Sequence, residues 1–386
     1  MGGSRHKRRV PPRLLFGVLA AVAIMLYLVF PTTREIETEH VRRDGLFASF
    51  PNLDADTYDI YMHQSFRAQT REGINDMKVL TLIEGMFGHI AVLSGGDLKR
   101  DGTRPRTRCM VFLWSSVIED KEATSLVVES CMKEDNRQHL VLTYIMSYVW
   151  PTMVHCAWQP KRVLVIGMGG ATVSKALHRL LPDATVVTLE IDRAVLGVAK
   201  EYFDYNPDGI TQQAVFGDAA QYLREYKGEP YDQIIVDAFE TIKVAGSVTT
   251  DAFIESIARN LTPTGLLLFN AGNGEEMYGE DMRVGVGNNK KPDRPKSGGR
   301  ALRDNFEAMF KVIRFNLPNA MFVAAKSEAF WGPIFEGPHP QLITERIGYR
   351  QLKFCPKAQP YAESFGLMRT SEEELDFKFK RIHWEE

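Results

Sequence analysis

Residues 162–192 read RVLVIGMGGATVSKALHRLLPDATVVTLEID, and this stretch decides the fold. RVLVIG (162–167) is an unbroken apolar run behind one arginine, as a strand covered on both faces requires. Glycines follow at 167, 169 and 170, then helical spacing over 171–181, then a second strand, TVVTLEID, at 185–192. Outward from there the alternation persists: helix 194–203, strand TQQAVFGD (211–218), helix 219–226, strand YDQIIVD (231–237), helix 251–261 and strand GLLLFN (265–270). Repeated strand–helix units predict an α/β domain with a doubly wound, Rossmann-like parallel sheet. Such sheets bind ligands where the carboxyl ends of their strands meet.

The chemistry-bearing residues fall at those ends. Gly167-Met168-Gly169-Gly170 joins the first strand to its helix, and glycines there let the backbone approach a ligand with no Cβ in the way. Glu190 ends the second strand, 23 residues after Gly167, where a carboxylate can accept hydrogen bonds from both hydroxyls of a ribose. Asp218 and Ala219 close the third strand, where an Asp side chain and the next backbone N–H suit an adenine edge. Asp237 ends the fourth strand and faces the same crevice. A dinucleotide turn would need a third glycine where Thr172 stands, and a phosphate-binding loop would need Gly-Lys-Ser/Thr, which is absent. S-adenosyl-L-methionine (AdoMet) has no phosphate, so a looser glycine turn plus a ribose carboxylate is enough for it. Any one of these acids could be a mere helix or strand cap. Four features at four successive strand ends favour a nucleoside site.

The remainder of the 386 residues sets the context. Hydrophobic content of 44% and charged content of 25% are ordinary for a globular chain, and a net charge of −2 argues against broad nucleic-acid binding. Cys109, Cys131, Cys156 and Cys355 form no CxxC pair, so no metal site is expected; they permit disulfides and equally suit buried thiols. Residues 14–30 are an uncharged apolar run that would span roughly 26 Å as a helix, and they read as a transmembrane anchor rather than a cleaved signal peptide. The tail 1–13 is basic, whereas Glu35, Glu37 and Glu39 follow the run. The expectation is a cytosolic N-terminus and a lumenal or extracellular main domain. The sequon Asn260-Leu261-Thr262 is followed by Pro263, which makes it a poor acceptor.

Residues 31–57 read as a polar stalk and 58–158 as a small β-rich domain, with strands at 78–93 and 108–118 and a helix at 137–150 closed by Pro151. The nucleoside-binding domain is expected over 159–326. Within it, the polar stretch 273–300 is a flexible surface insertion or a mobile lid or partner-binding loop, 304–310 a helix and 311–326 a closing hairpin around Pro318-Asn319. Residues 327–386 form an extension without a clear repeat. His139, His155 and His178 suggest packing rather than catalysis, and the Tyr144/Tyr148/Trp150 stripe reads as core.

RVLVIGMGGATVSKAL, VVTLEIDRAVLGVAKEYF, AVFGDAAQYL and YDQIIVDAF resemble the spermidine synthase superfamily of the class I methyltransferase fold. The resemblance implies a nucleoside donor, AdoMet or its decarboxylated form, with Asp237 matching the family's catalytic acid. It also has departures. Aminopropyltransferases carry Gly-Gly-Gly-Asp-Gly-Gly in the first turn, and Gly170 occupies the Asp position. Their fourth strand ends Asp-Ser-x-Asp-Pro, against Asp237-Ala238-Phe239-Glu240-Thr241, and their Asp-Glu-Phe-x-Tyr segment is unmatched by Glu134-Asp135-Asn136-Arg137-Gln138. A diamine needs fixed carboxylates to replace its water. The pattern therefore points first to a membrane-anchored methyltransferase. The alternatives are aminopropyl transfer to a polyamine and a catalytically silent scaffold. The acceptor is a protein amine or a polyamine, and a homodimer stays open.

Overall fold

The computed structural model describes residues 78–381 apart from 97–105, 119–120, 241–242, 273–276, 278–297, 315–319, 333–345, 349–353 and 366–375. The basic tail, the apolar run, the stalk and the anchor's orientation lie outside the described residues. Among those described, no helix is long and apolar enough to cross a membrane.

The chain opens with an antiparallel meander: β1 (Lys78–Gly85), β2 (Gly88–Gly95), β3 (Thr107–Ile118) and β4 (Lys121–Lys133), paired in that order. The stretch expected as one strand at 78–93 is thus a hairpin. It turns at Met86-Phe87, and Gly88 takes a φ of 138° that favours glycine. Strand β4 was not legible, because Lys121, Glu122, Glu129 and Lys133 break up its apolar pattern, yet it pairs with β3 along its whole length. Cys109 and Cys131 face each other across this pair and form a disulfide.

The helix expected at 137–150 is corrected in both directions. A 3-10 turn (Thr143–Ile145) leads into α1 (Met146–Val154), which runs through Pro151. Residues 137–142 are held out of helix by other partners: Arg137 clamps both carboxylate oxygens of Asp204 at 2.7 Å, and Leu140 N–H donates to Phe365 O. Pro151 forfeits one helical hydrogen bond, but Met146–Met153 is wholly buried, and that burial outweighs the loss.

The alternating units then follow: β5 (Arg162–Ile166), α2 (Thr172–Leu180), β6 (Thr185–Glu190), α3 (Arg193–Tyr202), β7 (Gln212–Phe216), α4 (Ala219–Glu225) and β8 (Tyr231–Val236). A short pair, β9 (Phe239–Glu240) and β10 (Lys243–Val244), precedes α5 (Asp251–Asn260) and β11 (Leu261–Asn270). Next come α6 (Gly299–Asn305), β12 (Ala308–Arg314), β13 (Ala320–Ala325), β14 (Arg346–Gly348), α7 (Gln359–Ser364) and β15 (Asp376–Arg381). The expected helix at 304–310 is a correction: α6 ends at Asn305, and from Ala308 the backbone pairs on both sides, with β13 and β15. The insertion at 273–300 is not wholly a polar surface loop, since Met277 is fully buried and α6 begins at its end. The extension after 326 supplies β14, β15 and α7, and Cys355 in it is disulfide-bonded to Cys156.

Nine strands form the large sheet in the order β14-β15-β12-β13-β11-β8-β5-β6-β7, parallel from β11 to β7 and antiparallel from β13 outward. Alternate residues of each parallel strand enter different cores. Leu164, Ile166, Ile234 and Val236 pack toward α4, α5 and α6, whereas Val163, Val165 and Ile235 pack toward α1, α2 and the small sheet. Each such side chain is worth about 1.5–3 kcal/mol of burial, which explains the unbroken apolar runs. The small sheet's other face, Ile90, Val92, Met110 and Met132, closes on α3. Chain order reverses between β5 and β8, so the crevice at their carboxyl ends is the switch point where such sheets take ligands.

Candidate active site

The turn after β5 is built around positive φ angles, 84° at Gly167, 49° at Gly169 and 54° at Ala171. Gly167 N–H donates to Leu189 O at 3.0 Å, and a Cβ there would overlap the backbone of Asp237. Gly170 serves the fold instead. Its N–H donates to Ser130 Oγ at 2.7 Å, and a Cβ on it would crowd Phe203 and Ser130. The small sheet therefore braces the glycine turn.

Glu190 sits under that turn. Its carboxylate accepts from Met168 N–H at 3.0 Å, Ile191 N–H at 2.7 Å and Asp192 N–H at 2.9 Å. Burial raises its pKa in spite of these three donors. Asp218 caps α4, accepting from Gln221 N–H at 2.7 Å, and Asp192 caps α3 while accepting from Met86 N–H at 2.6 Å. The capping account of these acids holds, and it coexists with a second position on the wall of one cavity.

That cavity measures about 140 Å³, the volume of about five liquid waters. Gly167, Gly169, Glu190, Asp218, Ala219 and Asp237 all line it, and Gly170 does not. The acids at successive strand ends thus converge on one space. Its described wall carries six carboxylates, from Glu129, Glu190, Asp192, Asp218, Asp237 and Glu240, and no Lys, Arg or His. Among the described residues, no three His, Cys, Asp or Glu side chains group as a metal site.

Asp237 is enclosed by protein, and burial raises its pKa to about 6. Asn270 Nδ2 donates to its Oδ1 at 2.9 Å, and the Tyr148 and Tyr144 hydroxyls beside it pull in the opposite direction to burial. Tyr144 Oη also donates to Glu129 O at 3.2 Å, and Tyr148 Oη is buried beside Asp237 and Asn270. These tyrosines and Glu129 are what sequence reasoning missed. The expectation that Tyr144, Tyr148 and Trp150 are core holds, and the placing of the two tyrosines beside Asp237 is what the sequence does not show. Glu129 lies in the unread strand β4.

Residues 144–282 match the spermine/spermidine synthase domain. A polyamine aminopropyltransferase of Chromobacterium violaceum is 31% identical over 156 residues, 40% of this chain and 58% of that protein. A spermine synthase of Arabidopsis thaliana is 32% identical over 142 residues, 36% of each. The chain thus spans between about a third and three fifths of the length of these curated relatives. The crystal structure of a probable spermidine synthase from Corynebacterium glutamicum aligns with a TM-score of 0.46 at 16% identity, covering 78% of this chain and 90% of that one. The likeness to the spermine/spermidine synthase domain covers residues 144–282, just over a third of this chain.

Proposed function

We propose that the protein transfers an aminopropyl group from decarboxylated AdoMet to an amine acceptor. The observation that carries this reading is the acidity of the cavity wall, six carboxyl groups with no Lys, Arg or His among the described lining residues. Decarboxylated AdoMet brings a sulfonium and an ammonium, both positive, and leaves behind the carboxylate that such a wall would repel. The similarity to aminopropyltransferases supports the same choice over methyl transfer. Gly167, Gly169 and Glu190 would hold the donor's chain and ribose, with Asp218 and Ala219 on the adenine. Asp237, with a pKa near 6, is ionised at neutral pH and takes the proton from the attacking nitrogen. The nitrogen attacks the propyl carbon next to sulfur, a C–N bond forms, the C–S bond breaks, and neutral methylthioadenosine leaves.

Methyl transfer from AdoMet is the second reading. Gly169 N–H makes no hydrogen bond to the described residues, and Gly169 lines the cavity where a methionine carboxylate could accept from it. Incubation of the purified full-length chain with each donor and 1,4-diaminobutane separates the two. Methylthioadenosine from the decarboxylated donor supports the first, S-adenosylhomocysteine from AdoMet replaces it with the second, and neither product leaves a silent scaffold.

We also infer that the domain sits in an oxidising compartment beyond the membrane, behind the apolar run at 14–30. Two disulfides, Cys109–Cys131 and Cys156–Cys355, fit that environment. Protease protection in intact vesicles tests it, since digestion from the cytosolic side would overturn the orientation.

A further inference from the structure

We propose that Glu129 recognises a primary ammonium of the ligand from the small sheet, opposite Asp237, and gives up a proton as it does so. This rests on the aminopropyl reading above. Glu129 projects from β4 into the cavity, while its neighbours Val128 and Ser130 are buried in the protein. It forms no side-chain hydrogen bond or ion pair with the described residues. Asp237 from the end of β8, Glu190 from the end of β6 and Tyr144 from the 3-10 turn face it, and Tyr148 of α1 adds its hydroxyl beside Asp237. Tyr148 Oη is buried beside Asp237 and helps hold that carboxylate in place. An ammonium has three N–H donors, and the Glu129 and Asp237 carboxylates, carried by two different sheets, offer it acceptors on the wall of one cavity.

The charge balance supplies the coupling. Burial first, then Asp237 and Glu190, push Glu129 up to about 8, so at pH 7 it is mostly protonated. An arriving cation offsets the repulsion from Asp237 and Glu190 and attracts the charged form, so the carboxyl ionises with release of its proton. Cation affinity therefore rises as pH climbs from 7 to 9.

The ammonium could be the donor's or the acceptor's, and two calorimetric arms distinguish them. One titrates decarboxylated AdoMet; the other titrates 1,4-diaminobutane into protein saturated with methylthioadenosine. Each is run in two buffers of different ionisation enthalpy, on the wild type and on Glu129→Gln. The proposal expects one arm to release close to one proton in the wild type and almost none in Glu129→Gln, with Kd weakened tenfold or more at pH 8.5. The affected arm names the source. Methylthioadenosine alone, which has no ammonium, should bind both proteins equally, showing that the variant folds. Unchanged affinity and proton release in both arms overturn the proposal. If ammonium binding depends on Glu129 but the wild type forms no methylthioadenosine, the aminopropyl reading fails and ammonium recognition stands. Product formation with an indifferent Glu129→Gln sinks only the proposal, and a wild type that binds neither titrant sinks both.

Discussion

The backbone of Asp237 occupies the space that a side chain on Gly167 would need, and Asp237 N–H donates to Ile166 O at 2.8 Å just before that glycine. The glycine turn and the candidate base are therefore one backbone unit at the point where the sheet reverses its winding. A methyl group on Gly167 must displace the loop that carries Asp237. It must also adopt a φ of 84°. Gly167→Ala is expected to lose about 2 kcal/mol or more of stability and most donor binding, as read by thermal melting and by calorimetry with methylthioadenosine. A variant with wild-type melting and affinity would show that the turn relaxes freely.

Asp237→Asn removes the proton acceptor while keeping the shape. The turnover of the decarboxylated donor should fall by about 10²–10⁴-fold. In the wild type kcat/KM should drop on the acid side near pH 6, where Asp237 gains its proton, and that limb should vanish in the variant. A persisting limb would assign the titration to another group.

The same acids make stability depend on pH. Asp237 near 6 and Glu129 near 8 both lie above the ordinary values of 3.8 and 4.5. Groups with raised pKa values favour the fold while protonated, and that contribution is lost as pH rises through the folded values. The ligand-free protein should melt at progressively lower temperature between pH 5 and pH 9. At pH 7.5 Asp237→Asn should be more stable than wild type by about 3 kcal/mol, because burial lifts the Asp237 carboxyl from 3.8 to about 6. A flat profile would place both carboxyls in water.

Ser130 Oγ holds Gly170 N–H at 2.7 Å from a different sheet. Ser130→Ala should cost about 1–2 kcal/mol and loosen the glycine turn, so donor affinity falls several-fold while Asp237's pH limb stays in place. Unchanged donor affinity would mean the turn holds itself.

Cys156–Cys355 closes 199 residues and ties the end of α1 to the segment before α7. Reduction, or Cys355→Ser, should destabilise by about 2–5 kcal/mol and open the region after residue 354 to proteolysis. Identical melting with and without reductant would show the bridge to be absent in solution.

The parallel core of the fold was legible because its cause is local. A strand covered on both faces must be apolar throughout, and a turn against a ligand or a neighbouring loop must be glycine, so 162–270 could be read almost element by element. The acids at strand ends were legible for the same reason, since position in a strand–helix unit fixes which end a residue reaches. Strand β4 carries charges that only its pairing with β3 overrides, and residues 137–142 lost their helix to Asp204 and Phe365. The cysteine partners, the bracing of Gly170 by Ser130 and the convergence of Glu129, Tyr144 and Tyr148 on Asp237 join residues tens to hundreds of positions apart. Pattern within a segment determines which surface that segment buries. Only the packing of the small sheet and α1 against the large sheet decided what that buried surface meets, because contact across sequence distance leaves no periodic trace in either partner.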